Sequence, residues 1–290
     1  MFDNEVRRWI CGITSSNNNQ TKNCNIQIIP ISGGCINQTY KILNDSGLAY
    51  FVKTNSSPPA DFFKAEADGL LLLGKQETIR VPKVISIHKK GLCLEYIEPT
   101  NHIHSYWQKL ATGLFNIHCV TSDTFGLDIN NYCGSTPQVN TQTSNGYEFF
   151  CENRINYQTQ RAFNAGLLEK RDISALDSLI SKIESIVPLQ PASLVHGDLW
   201  SGNIFVDESG SPVLIDPAVY YGWAESDLAM TRLFGGFAPE FYKTYFELAN
   251  LEPGFEDRVD LYNLYHLLNH LNLFGTGYLN QVRAAYKKYL

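Results

Sequence analysis

The sequence predicts an α+β protein of two lobes, in which a small five-stranded antiparallel sheet with one helix precedes a mainly helical lobe. Short apolar stretches separated by turn signals dominate roughly the first hundred residues. Apolar residues at three- and four-residue steps dominate most of the remainder. The segment Glu98-Pro99-Thr100 breaks the pattern between them, so we expect lobes over residues 1–98 and 99–290.

Five strands are predicted in the first lobe, over residues 25–31, 39–43, 48–53, 84–88 and 92–97. Asn44-Asp-Ser-Gly47 is a turn signal, and Lys89-Lys90-Gly91 joins the last two strands as a hairpin. A helix is predicted over residues 60–75, because apolar side chains recur there at helical steps among charged ones.

The second lobe is predicted to be mostly helix, over residues 106–120, 147–165, 173–186, 225–234, 239–249, 256–274 and 279–289. Residues 125–145 are rich in Asn, Thr, Gly and Pro and are predicted as a loop. The apolar run Val213-Leu214-Ile215 predicts a short buried strand.

Composition limits the classes of partner. The 290 residues are 44% hydrophobic, enough for a sizeable core, and carry a net charge of −6 with a pI near 5.6. An acidic chain without Lys/Arg clusters is a poor ligand for nucleic acid or an anionic membrane, so we expect neither as a partner. No apolar run reaches the roughly 20 residues of a membrane-spanning helix.

Cysteine usage and the amino-terminal sequence indicate a cytoplasmic protein. The polar first residues do not resemble a signal peptide. Seven cysteines occur, with no Cys-x-x-Cys pair, which predicts free thiols rather than a disulfide framework or a zinc site.

Three side chains at kinase-like spacing are the strongest functional signal. Asp198 precedes Asn203 by five positions, and Asp216 follows the predicted strand at 213–215. Asp198 is predicted to accept the proton of an attacking hydroxyl, whereas Asn203 and Asp216 offer the hard oxygens that Mg²⁺ prefers. This pattern predicts phosphoryl transfer, which mainly requires positioning and charge neutralisation.

The small lobe supplies candidate nucleotide contacts. Gly33 and Gly34 join the first two predicted strands, where their backbone N–H groups could approach phosphates; a plain hairpin turn would look the same. Lys53 ends the third predicted strand and is expected to contact phosphates, with Glu66 of the predicted helix as its ion-pair partner.

Position alone suggests the adenine contact. Glu95, Tyr96 and Ile97 end the fifth predicted strand and are expected to offer backbone groups to adenine. This order of strands, helix and motif is that of a protein-kinase-like fold.

Together these residues resemble the fructosamine kinase (ketosamine-3-kinase) family, within the aminoglycoside-phosphotransferase-like branch of the kinase fold. In the small lobe the resemblance lies in Pro30-Ile-Ser-Gly-Gly-Cys-Ile-Asn-Gln38, Phe51-Val-Lys53, Ala65-Glu-Ala-Asp-Gly-Leu70, Ile79-Arg-Val-Pro-Lys-Val84 and Leu94-Glu-Tyr-Ile-Glu98. In the large lobe it lies in His196-Gly-Asp-Leu-Trp-Ser-Gly-Asn203, Leu214-Ile-Asp-Pro-Ala-Val-Tyr-Tyr-Gly222, residues 227–236 and residues 264–275.

The resemblance implies an ATP- and Mg²⁺-dependent kinase that phosphorylates the sugar 3-hydroxyl of a ketosamine, the rearranged product of a sugar and an amine. The 3-phosphate decomposes and frees the amine, so the implied role is deglycation of small amines or of protein side chains. Asp216-Pro-Ala stands where protein kinases have Asp-Phe-Gly, and no activation loop follows, so we expect no activation-loop switch.

Two residues are candidate substrate contacts. Trp200 lies two positions after Asp198, and indole packs well on the apolar C–H face of a sugar; a core Trp bracing the loop is the alternative. The resemblance also favours His270, although a lone His on an apolar helix is more often a core group. Asp227, at the start of a predicted helix, is expected to hold the catalytic loop through its backbone N–H groups.

Cys35 lies in the predicted phosphate loop, where N–H groups and Lys53 could lower its pKa, so we expect a redox-sensitive thiol there, with a simple turn residue as the alternative. Unchanged activity and no intermolecular disulfide after peroxide treatment would contradict this hypothesis. His102 and His104 are predicted to be surface residues rather than metal ligands.

Two other functions remain open at this point. The chain could be a kinase of another small hydroxyl compound, such as an aminoglycoside or an amino alcohol, or a non-catalytic nucleotide-binding module. The sequence does not rank fructosamine against ribulosamine, because a carbon or two changes pocket binding by only about 1–3 kcal/mol. A monomer or weak dimer is expected.

Overall fold

The computed structural model describes residues 4–14, 26–31 and 36–290. A five-stranded sheet forms most of the small lobe, in the order β1-β2-β3-β5-β4, and every neighbouring pair is antiparallel. The strands are β1 (Gln27–Ile31), β2 (Gln38–Leu43), β3 (Ala49–Thr54), β4 (Val84–His88) and β5 (Gly91–Glu95). The predicted small-lobe sheet is therefore confirmed.

Within the described residues, two helices accompany this sheet rather than the one predicted. The predicted helix is α2 (Phe62–Gly74), and an additional helix, α1 (Asn4–Thr14), precedes β1. Helix α1 buries Val6 and Ile10, four residues apart, against the face of the sheet that carries Ile42. The sequence pattern missed α1 because only one narrow stripe of this short helix is apolar.

The second lobe is mainly helical, as predicted. Its helices are α3 (Tyr106–His118), α4 (Gly146–Phe149), α5 (Tyr157–Asn164), α6 (Lys170–Ile180), α7 (Ile183–Ile186), α8 (Ala224–Leu233), α9 (Pro239–Ala249), α10 (Phe255–Phe274) and α11 (Leu279–Lys287). A π-helix, Phe150–Asn156, joins α4 to α5. Residues 261–269 of the central helix α10 are all buried, which places this helix in the core of the lobe.

Short strands in the second lobe position the loops between its helices. They are β6 (Thr121–Ser122), β7 (Asn131–Cys133), β8 (Thr136–Gln138), β9 (Ala192–Val195), β10 (Ile204–Val206), β11 (Pro212–Leu214) and β12 (Tyr220–Gly222). They form a sheet in the order β12-β9-β6 and the hairpins β10-β11 and β7-β8. The strand predicted at 213–215 corresponds to β11.

The β7-β8 hairpin lies inside residues 125–145, which were predicted as loop, so that prediction is wrong there. Polar side chains hold the hairpin in place: Asn131 donates to the carbonyl of Val219 at 2.8 Å, and Gln138 donates to that of Ala218 at 3.0 Å. Because hydrogen bonds rather than alternating apolar residues bury these strands, hydrophobic periodicity gave no signal.

Arg80 joins the end of β5 to the β10-β11 hairpin. Its guanidinium lies 2.8 Å from Glu95 and 3.1 Å from Asp207, and its backbone carbonyl accepts from Leu214 N–H at 3.0 Å. The segment between β5 and α3 contains the boundary predicted at residues 98 and 99, which remains a prediction. Arg80 thus connects the two lobes beside that segment.

The prediction of free thiols is wrong at Cys11. Cys11 is disulfide-bonded, whereas Cys93, Cys119, Cys133 and Cys151 are free. Sequence spacing could not reveal a pairing that depends on the fold. Among the described residues, no helix is both long and apolar enough to cross a membrane.

Asp172 anchors the carboxy-terminal helix, and we expect its replacement by Asn to lower the free energy of unfolding by roughly 2–3 kcal/mol at neutral pH. Asp172 is fully buried and accepts from Arg283 Nε at 2.8 Å and from Tyr286 Oη at 2.7 Å. The Arg283 hydrogen bonds hold the pKa of Asp172 well below its usual 3.8.

The stabilisation by Asp172 has a defined pH dependence. Because its pKa is depressed in the folded state, the contribution is complete above about pH 4 and is lost as the pH falls further. Urea unfolding at several pH values should therefore show the wild-type advantage over Asp172→Asn shrinking below about pH 4. Asp177→Asn, an exposed change on the same helix, is the control, and equal pH profiles for the two variants would contradict the prediction.

Candidate active site

The loop after β9 carries the predicted base. It runs through His196 and Gly197 to Asp198, which is partly exposed. Gly197 has φ +81°, and a Cβ there would lie 2.0 Å from the carbonyl oxygen of Ala218. Only glycine permits both this left-handed backbone and this close approach, so the loop geometry depends on Gly197.

Asp227 holds this loop through its backbone N–H groups, as predicted. Its two carboxylate oxygens accept from the backbone N–H groups of His196 at 2.6 Å and Gly197 at 2.9 Å. His118 Nε2 lies 3.2 Å from the same carboxylate. Although burial opposes ionisation, the contacts with His118, His196 and Gly197 lower the pKa of Asp227, so it remains a carboxylate. Asp227 is therefore a positioning residue.

His196 links the two loops of the site, a role that the sequence did not predict. Its Nε2 lies 3.0 Å from the carbonyl oxygen of Ile215, and its Nδ1 accepts from Asp198 N–H at 3.3 Å. This pattern fits a neutral ring protonated on Nε2. Burial lowers the pKa of His196, in agreement with a neutral ring. The only sequence signal was its place before the Gly-Asp pair.

Asp198 and Asn203 contact each other directly. Asn203 Nδ2 donates to the backbone carbonyl of Asp198 at 2.7 Å and to its carboxylate at 3.0 Å. Burial raises the pKa of Asp198 to about 7; the negative charges of Asp216 and Asp227 add to this effect, while the Asn203 hydrogen bond opposes it. A carboxylate with a raised pKa is well suited to accept a proton from a hydroxyl.

Asp216 lies beside Asn203 and has an unusual backbone. Its φ is +54°, in the left-handed region that non-glycine residues rarely adopt and that often marks functional sites. Ile215 N–H donates to the carbonyl of Asn203 at 3.0 Å and so holds the two loops together. The Asp216 side chain is 44% exposed. Two hard-oxygen side chains from adjacent loops, one of them open to solvent, fit a Mg²⁺ site.

Lys53 connects both lobes within the site. It lies on β3 and is buried, and its ammonium group contacts Glu66 of α2 at 2.8 Å and also Asp216. Burial alone would lower the pKa of Lys53, but the charges of Asp216 and Glu66 outweigh burial and raise it. Burial raises the pKa of Glu66. The expected Lys53–Glu66 pair is present, and the Asp216 contact brings the two halves of the site together.

The structure describes only some of the remaining predicted nucleotide contacts. Gly33, Gly34 and Cys35 lie outside the described residues. Tyr96 packs its ring under the ammonium group of Lys41 at 4.0 Å, and Ile97 is buried.

The Glu95 carboxylate is engaged by Arg80 at 2.8 Å and by the backbone N–H of Lys83 at 3.2 Å. The Glu95 side chain is therefore engaged, and an adenine contact through the backbone of residues 95–97 remains a prediction.

An aromatic wall stands next to Asp198. We use this name for Trp200, Phe234, His270, Phe274 and Tyr278. The ring of Phe234 lies 5.6 Å from Trp200 and 5.1 Å from His270, and His270 in turn lies 5.1 Å from Tyr278. The structure therefore brings the two predicted substrate residues together and adds Phe234, which the sequence did not single out.

Local contacts fix both of the predicted substrate rings. A Cβ on Gly202 would lie 2.3 Å from the Trp200 ring, so the indole covers Gly202 closely and needs a glycine there. His270 Nδ1 lies 2.8 Å from the carbonyl oxygen of His266, so it carries the proton and leaves Nε2 as a hydrogen-bond acceptor. Burial lowers the pKa of His270 and favours this neutral form.

The fold and the clustered Lys, Glu, Asn and Asp side chains define a phosphotransferase of the bilobal kinase class. More particularly, the chain belongs to the fructosamine kinase family, whose model matches residues 10–290. A probable ketoamine kinase from Synechocystis sp. is 42% identical over 269 residues, covering 90% of this chain and 89% of the relative.

Two further comparisons agree with this assignment. The chloroplastic protein-ribulosamine 3-kinase of Arabidopsis thaliana is 36% identical over 303 residues, covering 100% of this chain and 89% of the relative. A crystal structure of a candidate fructosamine-3-kinase from Haemophilus somnus superposes with a TM-score of 0.85 at 29% identity, covering 97% of this chain and 96% of that one. The resemblance seen in the sequence is confirmed.

Proposed function

We propose that this chain is an ATP-dependent kinase that transfers a phosphoryl group to the 3-hydroxyl of a ketosamine. The observation that supports this proposal is that the loop of Asp198 carries both Asn203, which hydrogen-bonds to Asp198, and Trp200 of the aromatic wall, while the Lys53–Asp216 pair joins that site from the adjacent loop. A proton acceptor, a phosphate-side cation and a sugar-compatible surface are the three elements such a transfer needs.

Each residue at the phosphate side has a proposed role. Asp198 accepts the proton of the attacking hydroxyl, while its hydrogen bond from Asn203 fixes the carboxylate orientation. Lys53 contacts the phosphates, and Glu66 holds it in place. Asn203 and Asp216 would hold Mg²⁺, which neutralises charge on the phosphates when it is bound.

On the acceptor side, the proposal assigns the sugar to the aromatic wall. Trp200 offers an apolar ring to the C–H face of the sugar, and His270 Nε2 can accept a hydrogen bond from a sugar hydroxyl. The amine that carries the sugar would extend toward Phe274, which is 50% exposed. A wall that opens to solvent would accept either a free ketosamine or a glycated protein side chain.

Decomposition of the sugar 3-phosphate would then free the amine, so the proposed physiological role is deglycation. The plant relative is named a ribulosamine kinase and the cyanobacterial one a ketoamine kinase, and both names support a ketosamine as acceptor. A cytoplasmic location and a monomeric or weakly dimeric state remain predictions from the sequence.

Phosphorus NMR of reactions with Mg-ATP provides the test. The panel contains a fructosamine, a ribulosamine, an erythrulosamine, an aminoglycoside and an amino alcohol. We expect a sugar 3-phosphate signal only with the ketosamines, and none with Asp198→Asn. Phosphorylation of the aminoglycoside or amino alcohol alone would favour another small-molecule kinase. Nucleotide binding without transfer to any acceptor would favour a non-catalytic module.

Replacing Trp200 by Ala is expected to lower kcat/KM for the ketosamine by roughly 10- to 100-fold, through loss of sugar packing. Because Trp200 is assigned to the acceptor side of the site, KM for ATP should stay unchanged. Initial rates with each substrate varied in turn measure both effects.

Trp200→Phe is the matched variant, since it keeps an aromatic ring of smaller area and should recover part of the lost kcat/KM. If Trp200 only braces the loop, Trp200→Ala will instead lower the thermal midpoint and reduce kcat, with no change in KM for the ketosamine.

A further inference from the structure

Three potential metal ligands meet beside the catalytic loop. The Sγ of Cys133, a carboxylate oxygen of Asp198 and a ring nitrogen of His266 all lie within 4.8 Å of one another. They come from β7, the catalytic loop and α10, so the fold rather than the sequence brings them together. Cys133 and His266 are 2% and 3% exposed, while Asp198 is partly exposed.

His266 provides a second observation that is independent of these distances. Its Nδ1 is buried and has no hydrogen-bond partner among the described residues. A buried polar nitrogen left without a partner destabilises the folded state. Such an atom is kept at that cost where it has another use, such as binding a ligand.

Hydrogen bonds from neighbouring side chains tie together the elements that carry this cluster. Asn269 Nδ2 donates to the carbonyl of Cys133 at 3.2 Å, which ties β7 to α10. Tyr265 Oη donates to Gln138 at 2.6 Å and ties β8 to the same helix. These bonds place the elements that carry the thiol and the imidazole side by side, so the remaining approach to an ion falls to the side chains.

The donor set differs in kind from the predicted Mg²⁺ site. Thiolate and imidazole are ligands for borderline or soft cations such as Zn²⁺, whereas Mg²⁺ prefers oxygen. Zinc sites place sulfur at about 2.3 Å and nitrogen at about 2.0–2.1 Å from the ion, so two ligand atoms at the 4.8 Å limit would need to approach by roughly 1 Å. Three protein ligands would leave the fourth position open.

We propose that Cys133, Asp198 and His266 form a binding site for a thiophilic divalent cation, best matched by Zn²⁺, and that occupancy switches the kinase off. The Cys133 thiol would release its proton to solvent when the metal binds. Asp198 would then be a metal ligand and could not accept a proton from the sugar hydroxyl. This inhibitory consequence rests on the proposed role of Asp198 as the base, whereas the binding site does not.

Cobalt(II) is the probe for the site itself, because a thiolate ligand gives it a charge-transfer absorption band. We expect this band when cobalt(II) is added to the metal-free full chain, and we expect Zn²⁺ to displace the cobalt and remove the band. The band should disappear in Cys133→Ser, and cobalt binding should weaken at least roughly tenfold in His266→Gln, as for loss of other metal-site residues. Cys119→Ser, at an exposed free thiol, and Cys151→Ser, at a buried one, are the matched controls and should keep the band.

The proposal is overturned by the absence of the band in wild type, by its persistence in Cys133→Ser, or by its loss in Cys119→Ser. Should Cys133→Ser fail to fold, the His266→Gln titration decides, and unchanged cobalt affinity there overturns the proposal.

Phosphoryl transfer in excess Mg²⁺ tests the consequence separately. Zn²⁺ should inhibit, with an inhibition constant raised at least roughly tenfold in His266→Gln. A Cys133-dependent band in a chain that phosphorylates no ketosamine keeps the metal site and rejects the proposed function. Ketosamine phosphorylation by a chain that gives no band supports the proposed function and overturns the metal site.

Discussion

Asp198→Asn is expected to lower kcat by roughly 10²–10⁴-fold, because the chain loses the group that takes the proton from the acceptor. Asn has the same shape and keeps an oxygen to accept the hydrogen bond from Asn203, so the loop geometry should persist. Nucleotide affinity should therefore change little. Steady-state kinetics combined with a direct nucleotide-binding titration measures both quantities.

The same variant should unfold at a higher temperature than wild type in the absence of Mg²⁺ and nucleotide. Burial raises the pKa of Asp198 to about 7, so the folded state opposes its ionisation. A raised carboxyl pKa destabilises the folded protein as the pH rises through the unfolded and then the folded pKa value. A neutral amide removes this penalty, which is the usual exchange of activity for stability at a functional site.

Asp207→Asn is the matched control for this prediction. Asp207 is buried in the turn between β10 and β11 and pairs with Arg80 at 3.1 Å, outside the catalytic loop. This control should keep kcat and lose stability, the opposite of Asp198→Asn. If Asp198→Asn retains more than about one tenth of the wild-type kcat, Asp198 is not the base.

Local sequence patterns were enough to predict most of the fold. The strands of the small lobe and helix α10 carry their own periodicity, so their existence could be read without tertiary information. Helix α1 and the β7-β8 hairpin could not, because their burial depends on contacts with distant elements. In the hairpin those contacts are hydrogen bonds from Asn131 and Gln138 to the 218–219 backbone.

The residues of the site also differ in whether the sequence alone could reveal them. Asp198, Asn203 and Asp216 lie within nineteen consecutive residues and have a characteristic spacing, so a motif could find them. His266 and Cys133 approach Asp198 from α10 and β7, and no spacing connects residues so far apart in the chain. The sequence therefore revealed the site residues that lie close together in the chain and did not reveal the cluster that forms only when the chain folds.

Lys53→Met is the second large effect, and it should reduce both activity and stability. Losing one charged contact to the phosphates is expected to lower kcat by roughly 10²–10³-fold. The free energy of unfolding should also fall, by about 2–3 kcal/mol, less than for a fully buried pair because Asp216 is 44% exposed. The stability loss arises because Glu66, 13% exposed, is left without its cation.

A double variant separates the two effects. Lys53→Met/Glu66→Gln removes the buried uncompensated charge, so most of the lost stability should return while the activity stays low. Urea unfolding and steady-state kinetics on the two single variants and the double variant complete the cycle. Lys64→Met is the control. Lys64 is 58% exposed and pairs with Asp68 on α2, so its replacement should change stability and activity little. Recovery of activity in the double variant would mean that Lys53 supports the fold rather than the phosphates, because a methionine at residue 53 cannot neutralise phosphate charge.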